Sequence, residues 1–127
     1  AGRAADARVS MVRADFFAAV MDPAGFDPDS PGRTYDAILL DIDHSPAHVL
    51  HGPHAAFYTH EGLESAASRL VPGGVFAMWS DDAPDDGFVA LLDGVFTDVE
   101  AQQIWFDNPL TRDRSANTIY LATRAQA

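Results

Sequence analysis

Two uninterrupted apolar runs restrict the fold of this chain more than any other feature of the sequence. The first, Ala37 to Leu40, ends at Asp41, and the second extends from Val75 to Trp79. A run in which every residue is apolar is typical of a strand that is covered on both faces, as in a parallel sheet. Parallel neighbours need a long crossover between them, which is usually a helix. The two runs therefore predict a β-α-β unit within an α/β fold.

The elements around these runs are predicted from hydrophobic periodicity and turn residues. A strand is predicted from Val9 to Val12 and a helix from Phe16 to Met21. A second helix extends from His60 to about Val71; Thr59 caps it and Pro72-Gly73-Gly74 ends it. A third helix is built on Phe88, Leu91, Leu92, Val95 and Phe96, and two β-type runs follow, Val99 to Phe106 and Thr118 to Thr123. Loops are predicted over Asp22 to Gly32, Ile42 to Tyr58 and Asp107 to Asn117, the last of which joins an antiparallel hairpin. The order β-α-β-α-β-α-β-β predicts one domain over residues 1–127 with a three-layer, mostly parallel sheet.

Composition excludes several classes of protein. The 19 acidic residues face 8 basic ones, all of them Arg, which gives a formal net charge of −11, and there is no Cys. Without Cys the chain has neither a disulfide framework nor a thiolate metal site. The negative charge disfavours nucleic acid and anionic membranes as partners and favours cationic small molecules. No apolar run approaches the roughly 20 residues that a membrane span needs, and we expect a cytoplasmic protein.

Acidic residues follow three of the predicted strands at the point where each strand ends. Asp15 follows the first strand, Asp41 with Asp43 and His44 follows the second, and Asp81 follows the third. In open α/β sheets, ligands bind in the crevice beyond the carboxyl ends of the strands. Asp is also common in turns for conformational reasons. Three consecutive strand ends nevertheless favour a site that accepts hydrogen bonds or takes a proton from an amine.

The histidines and the large aromatic residues allow more conservative interpretations. All five histidines lie within residues 42–61, but their spacing fits no metal motif and prolines interrupt the run, so we expect no metal site. Trp79 and Trp105 fall at strand positions, where packing in the core is the default interpretation. Tyr58 precedes the predicted helix cap and is a candidate to face the cleft.

Four segments resemble those of spermidine synthases and their methyltransferase-like relatives. Tyr35-Asp36-Ala37-Ile38-Leu39-Leu40-Asp41 resembles the fourth-strand motif, and Phe57-Tyr58-Thr59 and Leu70-Val71-Pro72-Gly73-Gly74-Val75-Phe76 resemble the segment that follows. Val9 to Phe17 is similar to the family's third strand and the start of its next helix. The resemblance implies the C-terminal portion of a Rossmann-like methyltransferase sheet, with parallel strands and a terminal antiparallel hairpin. It also implies transfer of an aminopropyl or methyl group from S-adenosylmethionine, or its decarboxylated form, as donor substrate to a small-molecule amine.

The resemblance further implies roles for individual residues. Asp15, with Phe16 beside it, would hydrogen-bond the adenine amino group of the donor, and Asp41 would orient and deprotonate the attacking amine. An amine with a pKa of about 10 is cationic at neutral pH, and only its neutral form can attack the carbon beside a sulfonium. A carboxylate can bind that cation and then accept its proton.

The second half of the family's catalytic motif differs in this sequence. Where the family has a second Asp followed by Pro, the chain has His44-Ser45-Pro46, so His44 is a candidate base near neutral pH. Asp43 stands one place early, and together with Tyr58 and Asp81 it completes the predicted substrate-binding set.

The family's glycine-rich turn and the acid that holds the ribose would lie upstream of Ala1, so we expect the chain alone to lack a complete nucleoside site. In the superfamily's strand order, 3-2-1-4-5-7-6, the two absent strands separate this chain's first strand from its second. We therefore expect the first strand either to pack in an altered position or to have the gap filled by another chain, as in a homodimer. Two alternatives stay open: a small-molecule methyltransferase, and a non-catalytic binding or dimerisation module of the same fold.

Overall fold

The computed structural model describes residues 8–41, 52–110 and 113–126. Helices and strands alternate along most of this part of the chain. In chain order they are α1 (Phe16–Met21), β1 (Tyr35–Asp41), α2 (Gly52–Phe57), α3 (His60–Ser68), β2 (Leu70–Ser80), α4 (Asp86–Asp93), β3 (Thr97–Asn108) and β4 (Asp113–Thr123).

The strands form one mixed sheet in the order β1-β2-β4-β3. β1 and β2 are parallel, with Leu40 beside Met78, and β4 runs antiparallel to β2, with Tyr120 on the other side of Met78. β3 pairs antiparallel with β4 along the terminal hairpin. The predicted α/β class, the parallel pair and the terminal hairpin are thus confirmed. The prediction of a mostly parallel sheet is wrong for the described strands, because one of their three pairings is parallel and two are antiparallel.

Helices cover one face of this sheet. Phe57 of α2 packs its ring against Phe76, with centroids 6.2 Å apart, and Phe88 of α4 packs edge-on against Tyr120 at 4.9 Å. Leu63 of α3 is fully buried in the same core. The helix-covered face carries the sheet residues Ile38, Leu40, Phe76, Met78, Tyr120 and Ala122.

The opposite face of the sheet is not covered by the described residues. Successive strand residues point to opposite sides, and Leu39 is 79% exposed between the buried Ile38 and Leu40. The prediction that both apolar runs are covered on both faces, in three layers, is therefore wrong for the described residues, which form two layers. We call this surface the open face; it is defined by Leu39, Ala77, Trp79, Ile104, Ile119 and Leu121.

Several local predictions are confirmed, and their capping interactions explain them. The Asp15 carboxylate accepts a hydrogen bond of 2.9 Å from the Phe17 N–H at the start of α1. Thr59 caps α3 by accepting from the Gly62 N–H at 3.0 Å, and Asp85 caps α4 by accepting from the Phe88 N–H at 3.1 Å. Such caps satisfy donors that the first helical turn leaves without partners.

The helix predicted to reach Val71 ends instead at Ser68, and the chain from Leu70 onward belongs to β2. The Tyr35 N–H donates to the Arg69 carbonyl at 2.7 Å, which draws this segment into the sheet beside β1. Gly73 has a positive φ of 82°, and the β1–β2 register shifts between Tyr35 and Ala37. Pro72-Gly73-Gly74 therefore forms an irregular stretch of strand rather than the end of a helix.

Four further boundaries differ from the prediction. The helix predicted to include Val95 and Phe96 ends at Asp93, so these two residues lie beyond its end. Val9 to Val12 forms no strand, because these residues take part in no ladder of the sheet. The predicted loop over residues 42–58 contains α2 at its C-terminal end. The hairpin loop is shorter than predicted, since β3 and β4 stay paired as far as Asn108 and Asp113. Among the described residues, no helix has the length and apolar character that crossing a bilayer requires.

Candidate functional site

Asp41 lies at the carboxyl end of β1 with its side chain on the open face. It is directly beside Trp79 in the parallel register, on strands that lie about 4.8 Å apart. The two residues border a shallow depression of about 250 Å³. We call it the strand-end depression; its lining residues are Leu39, Leu40, Asp41, Ala77, Met78, Trp79 and Ile119.

The chemistry of this depression suits a cation with an apolar body. The Asp41 carboxylate supplies negative charge and a hydrogen-bond acceptor, and the Trp79 indole offers a ring that attracts cations. Trp79 is 38% exposed and Trp105 is 52% exposed, so the interpretation of these two residues as core is wrong. The alternation of side chains along β2 is the signal that indicates the position of Trp79, which lies on the opposite face from its buried neighbour Met78 and on the same face as Ala77.

A larger cleft of about 580 Å³ runs along the outer edge of β1. Three aromatic rings line it, and two of them, Phe16 and Phe26, stack with centroids 5.4 Å apart and planes 14° from parallel. The Arg33 guanidinium lies 5.4 Å from the Tyr35 ring centroid and 3.2 Å from an Asp27 carboxylate oxygen. We call this the aromatic cleft; its other lining residues are Arg8, Val9, Ser10, Val12, Ala37, Ile38 and Leu39.

Leu39 borders both concave surfaces. The aromatic cleft and the strand-end depression are therefore neighbours along β1. Phe16, predicted to bind the donor, lines the aromatic cleft, and Asp15 immediately precedes it. One oxygen of Asp15 is engaged as the cap of α1, so turn chemistry accounts for that interaction.

Tyr58 lies on the helix-covered face, away from the Asp41 side chain. Its ring packs edge-on against Phe57 and Phe88, with centroids 5.2 Å and 5.5 Å away, and its hydroxyl lies 4.0 Å from the Met78 sulfur. Burial, and to a lesser extent the neighbouring Tyr120 hydroxyl, raise the pKa of Tyr58. The structure therefore does not bring Tyr58 and Asp41 together on one face.

Asp81 is exposed in the loop that follows β2. Two side chains of β4 hold this loop: Thr118 donates to the Asp82 carbonyl at 2.6 Å, and the Tyr120 hydroxyl accepts from the Asp85 N–H at 2.9 Å. Burial, followed by nearby carboxylates, raises the pKa of Tyr120, although its hydrogen bond to Asp85 opposes the shift. The loop position of Asp81 is thus fixed by the sheet beneath it.

Two predicted site residues, Asp43 and His44, lie outside the described residues. In α3, the Nδ1 atom of His60 lies 3.4 Å from a carboxylate oxygen of Glu64, one turn further along the helix. Within the described ranges, no group of three or more His, Cys, Asp or Glu is placed to hold a metal ion.

No family model matches the chain, and no curated protein matches it.

Proposed function

We propose that the protein is a transferase that moves an aminopropyl or methyl group from an S-adenosylmethionine-type donor to an amine. The observation that carries this proposal is the sheet order. The last four strands of the superfamily order are 4-5-7-6. The order β1-β2-β4-β3 has the same pattern, because the chain's last strand, β4, lies between β2 and β3. The sequence motif that resembles the fourth strand is β1 itself, and Asp41 is at its carboxyl end.

The proposed reaction needs a base beside the attacking nitrogen. The amine loses a proton to the Asp41 carboxylate, and its lone pair attacks the donor carbon next to the sulfonium. A new C–N bond forms as the C–S bond breaks, and the bonding electron pair returns to sulfur, which leaves as a neutral thioether. The exposed position of Asp41 beside Trp79 gives a cationic amine direct access to the carboxylate.

Two adjacent concave surfaces also support a two-substrate reaction. Stacked aromatic rings in the aromatic cleft suit the planar base of a nucleoside donor. The strand-end depression, which shares Leu39 with that cleft, suits the amine. Reaction rates rise steeply when two reactants are held side by side in the correct orientation.

A transfer assay tests the proposal. The product of the complete gene would be incubated with either donor and a set of diamines, and the masses of the products would be measured by mass spectrometry. We expect a mass increase of one transferred group and a loss of about 10²- to 10⁴-fold in rate for Asp41→Asn. Asp36→Asn is the matched control, since Asp36 is also exposed on β1 but lies near its amino end.

The donor that is consumed separates an aminopropyltransferase from a methyltransferase. Absence of product with both donors, or full activity of Asp41→Asn, would overturn the proposal. A non-catalytic binding or dimerisation module would then be the better candidate, because the exposed apolar residues of the open face favour it.

A further inference from the structure

We propose that the open face is a docking surface for an amphipathic α-helix whose apolar stripe is flanked by basic side chains. This inference concerns a protein partner and does not depend on the transferase proposal.

Several of the exposed large apolar side chains of the described residues share this face, while others, such as Met11 and Trp105, lie elsewhere. Leu39 is 79% exposed, Ile104 is 39% exposed and Trp79 is 38% exposed, and each lies on a different strand. The register places Ala77 between Leu39 and Leu121, and Ile119 next to Trp79, so the apolar side chains form a strip across β1, β2 and β4. On β3, Glu100 and Gln102 lie opposite Leu121 and Ile119, and Ile104 lies opposite Asn117. Contiguous apolar surface of this kind marks interaction sites in folded proteins.

The sequence of the two parallel strands also calls for a second covering layer. Ala37 to Leu40 and Val75 to Trp79 are apolar at every position, the pattern of strands with helices on both faces. The described helices supply one of these layers, on the side of the buried Leu40 and Met78. An added helix is the element that normally completes such a sheet.

The size of the open face fits a helix. Four strands spaced about 4.8 Å apart make a strip roughly 14 Å wide, and a helix with its side chains is about 10–12 Å across. A single helix lying on the central strands would cover Ala77, Ile119 and Leu121. Leu39 and Ile104, on β1 and β3, would then lie at the margins of the contact.

Charge on the open face selects a basic partner. Asp41 lies on the β1 edge of this face and Glu100, opposite Leu121, lies on the β3 edge, so an acid flanks the apolar strip on each side. Among the described side chains that alternate onto this face from the four strands, none is basic. A second copy of the chain, with a formal net charge of −11, would bring like charges together. A helix with Lys or Arg beside its apolar stripe would instead oppose each edge with the opposite charge.

Two synthetic helical peptides of about 21 residues provide the test. They share one stripe of Leu and Ala, but one has Lys on both flanks of the stripe and the other has Glu. Binding to the fluorescently labelled 127-residue chain would be measured by fluorescence anisotropy at low and high salt. We expect the Lys peptide to bind at least 10-fold more tightly than the Glu peptide, and we expect salt to weaken its binding.

Variants of the chain locate the contact. Ile119→Glu and Leu121→Glu should each weaken binding of the Lys peptide at least 10-fold, because both residues lie beneath the helix on a central strand. Leu110→Glu is the matched control, because Leu110 is 93% exposed but lies in the hairpin turn away from the open face, and this variant should bind normally. Glu100→Lys leaves the apolar strip intact, so it tests charge even where an apolar variant fails to fold; it should weaken the Lys peptide and strengthen the Glu peptide.

Each contrary outcome has a defined meaning. Equal binding of the two peptides, or loss of binding in Leu110→Glu, would overturn the proposal. Sedimentation that shows a dimer of the chain, converted to a monomer by Leu39→Glu, would overturn it in favour of a second copy as the occupant.

Discussion

Gly62 is the position where the packing of helices makes the sharpest stability prediction. It lies in the first turn of α3, where the helix presses against the last turn of α2. A Cβ added at Gly62 would lie 2.6 Å from the Phe57 Cα and closer still to the carbonyl oxygens of Ala56 and Phe57. Carbon atoms in good contact are about 3.5–4.0 Å apart. Because all three neighbours are backbone atoms, no side-chain rotation can relieve the overlap.

Two opposing effects decide the outcome of Gly62→Ala. Ala in a helix is favoured over Gly by up to about 1 kcal/mol. Overpacking of a buried contact typically costs about 1–3 kcal/mol, and here α2 and α3 must separate by more than half an ångström to restore contact distance. Because three backbone atoms overlap with the added Cβ, we expect the cost to be near the upper end of that range, and Gly62→Ala should lower the free energy of unfolding by about 2 kcal/mol after the gain in helix propensity.

Gly87→Ala is the matched control, since Gly87 also lies in the first turn of a helix, α4. Its added Cβ would meet the Asp85 carboxylate oxygen at 3.2 Å, and this flexible side chain can move. We expect this variant to change stability little, because the gain of up to about 1 kcal/mol from the helix propensity of Ala opposes the disturbance of Asp85, which caps α4 by accepting from the Phe88 N–H. Urea unfolding followed by far-UV circular dichroism measures both changes. If Gly62→Ala proved as stable as the wild type while Gly87→Ala behaved as expected, the close approach of α2 and α3 would be refuted.

Three further predictions follow from polar groups. Arg69→Met should cost about 2–4 kcal/mol in urea unfolding, because the buried guanidinium donates to the Val20, Asp22 and Pro23 carbonyls at the end of α1; a neutral effect would contradict this role. Asp15→Ala should lower the free energy of unfolding by about 1 kcal/mol because it removes the cap of α1, whereas Asp15→Ser, which keeps a capping oxygen, should lower it little. Weaker donor binding by Asp15→Ser would therefore indicate a direct contact between Asp15 and the ligand. The raised pKa of Tyr58 favours its neutral form in the fold, so its stabilising contribution is complete below the unfolded pKa of about 10 and declines at higher pH. Tyr58→Phe should make the free energy of unfolding fall less steeply with pH above pH 10. The change in slope should be smaller than the ceiling of about 1.4 kcal/mol per pH unit, because the ring is partly exposed. An unchanged slope between pH 9 and pH 11 would contradict this prediction.

Local patterns predicted those elements whose causes are local. The helix from Phe16 to Met21 and the start of α3 depend on caps two or three residues away, and the sequence shows both. Val9 to Val12 has the composition of a strand, but a strand also needs a partner edge, which composition does not contain. The reassignment of Leu70 to β2 likewise depends on Tyr35, a partner distant in sequence.

The candidate site was predictable only in part, for the same reason. Asp41 could be found because an apolar run ends there, which is a feature of a single strand. The pairing of Asp41 with Trp79 depends on the register between two strands, and the side of the sheet that Tyr58 occupies depends on how α2 and α3 dock. The spacing of nearby residues predicts neither the strand register nor the way these helices dock.

The open face and the strand-end depression are physically linked, because Leu39, Ala77, Trp79 and Ile119 belong to both. A helix that covered Ala77 and Ile119 would cover part of the depression and exclude water from it. Exclusion of water strengthens the attraction between a carboxylate and an ammonium group, which in open solvent is weak. Asp41 lies on the edge strand at the carboxyl end of the sheet, where a basic side chain that flanks the helix would face its carboxylate. Docking and amine binding would therefore compete for Asp41, and the two proposals differ in what they require of Leu39: contact with a partner in the first, and separation of two substrate positions in the second.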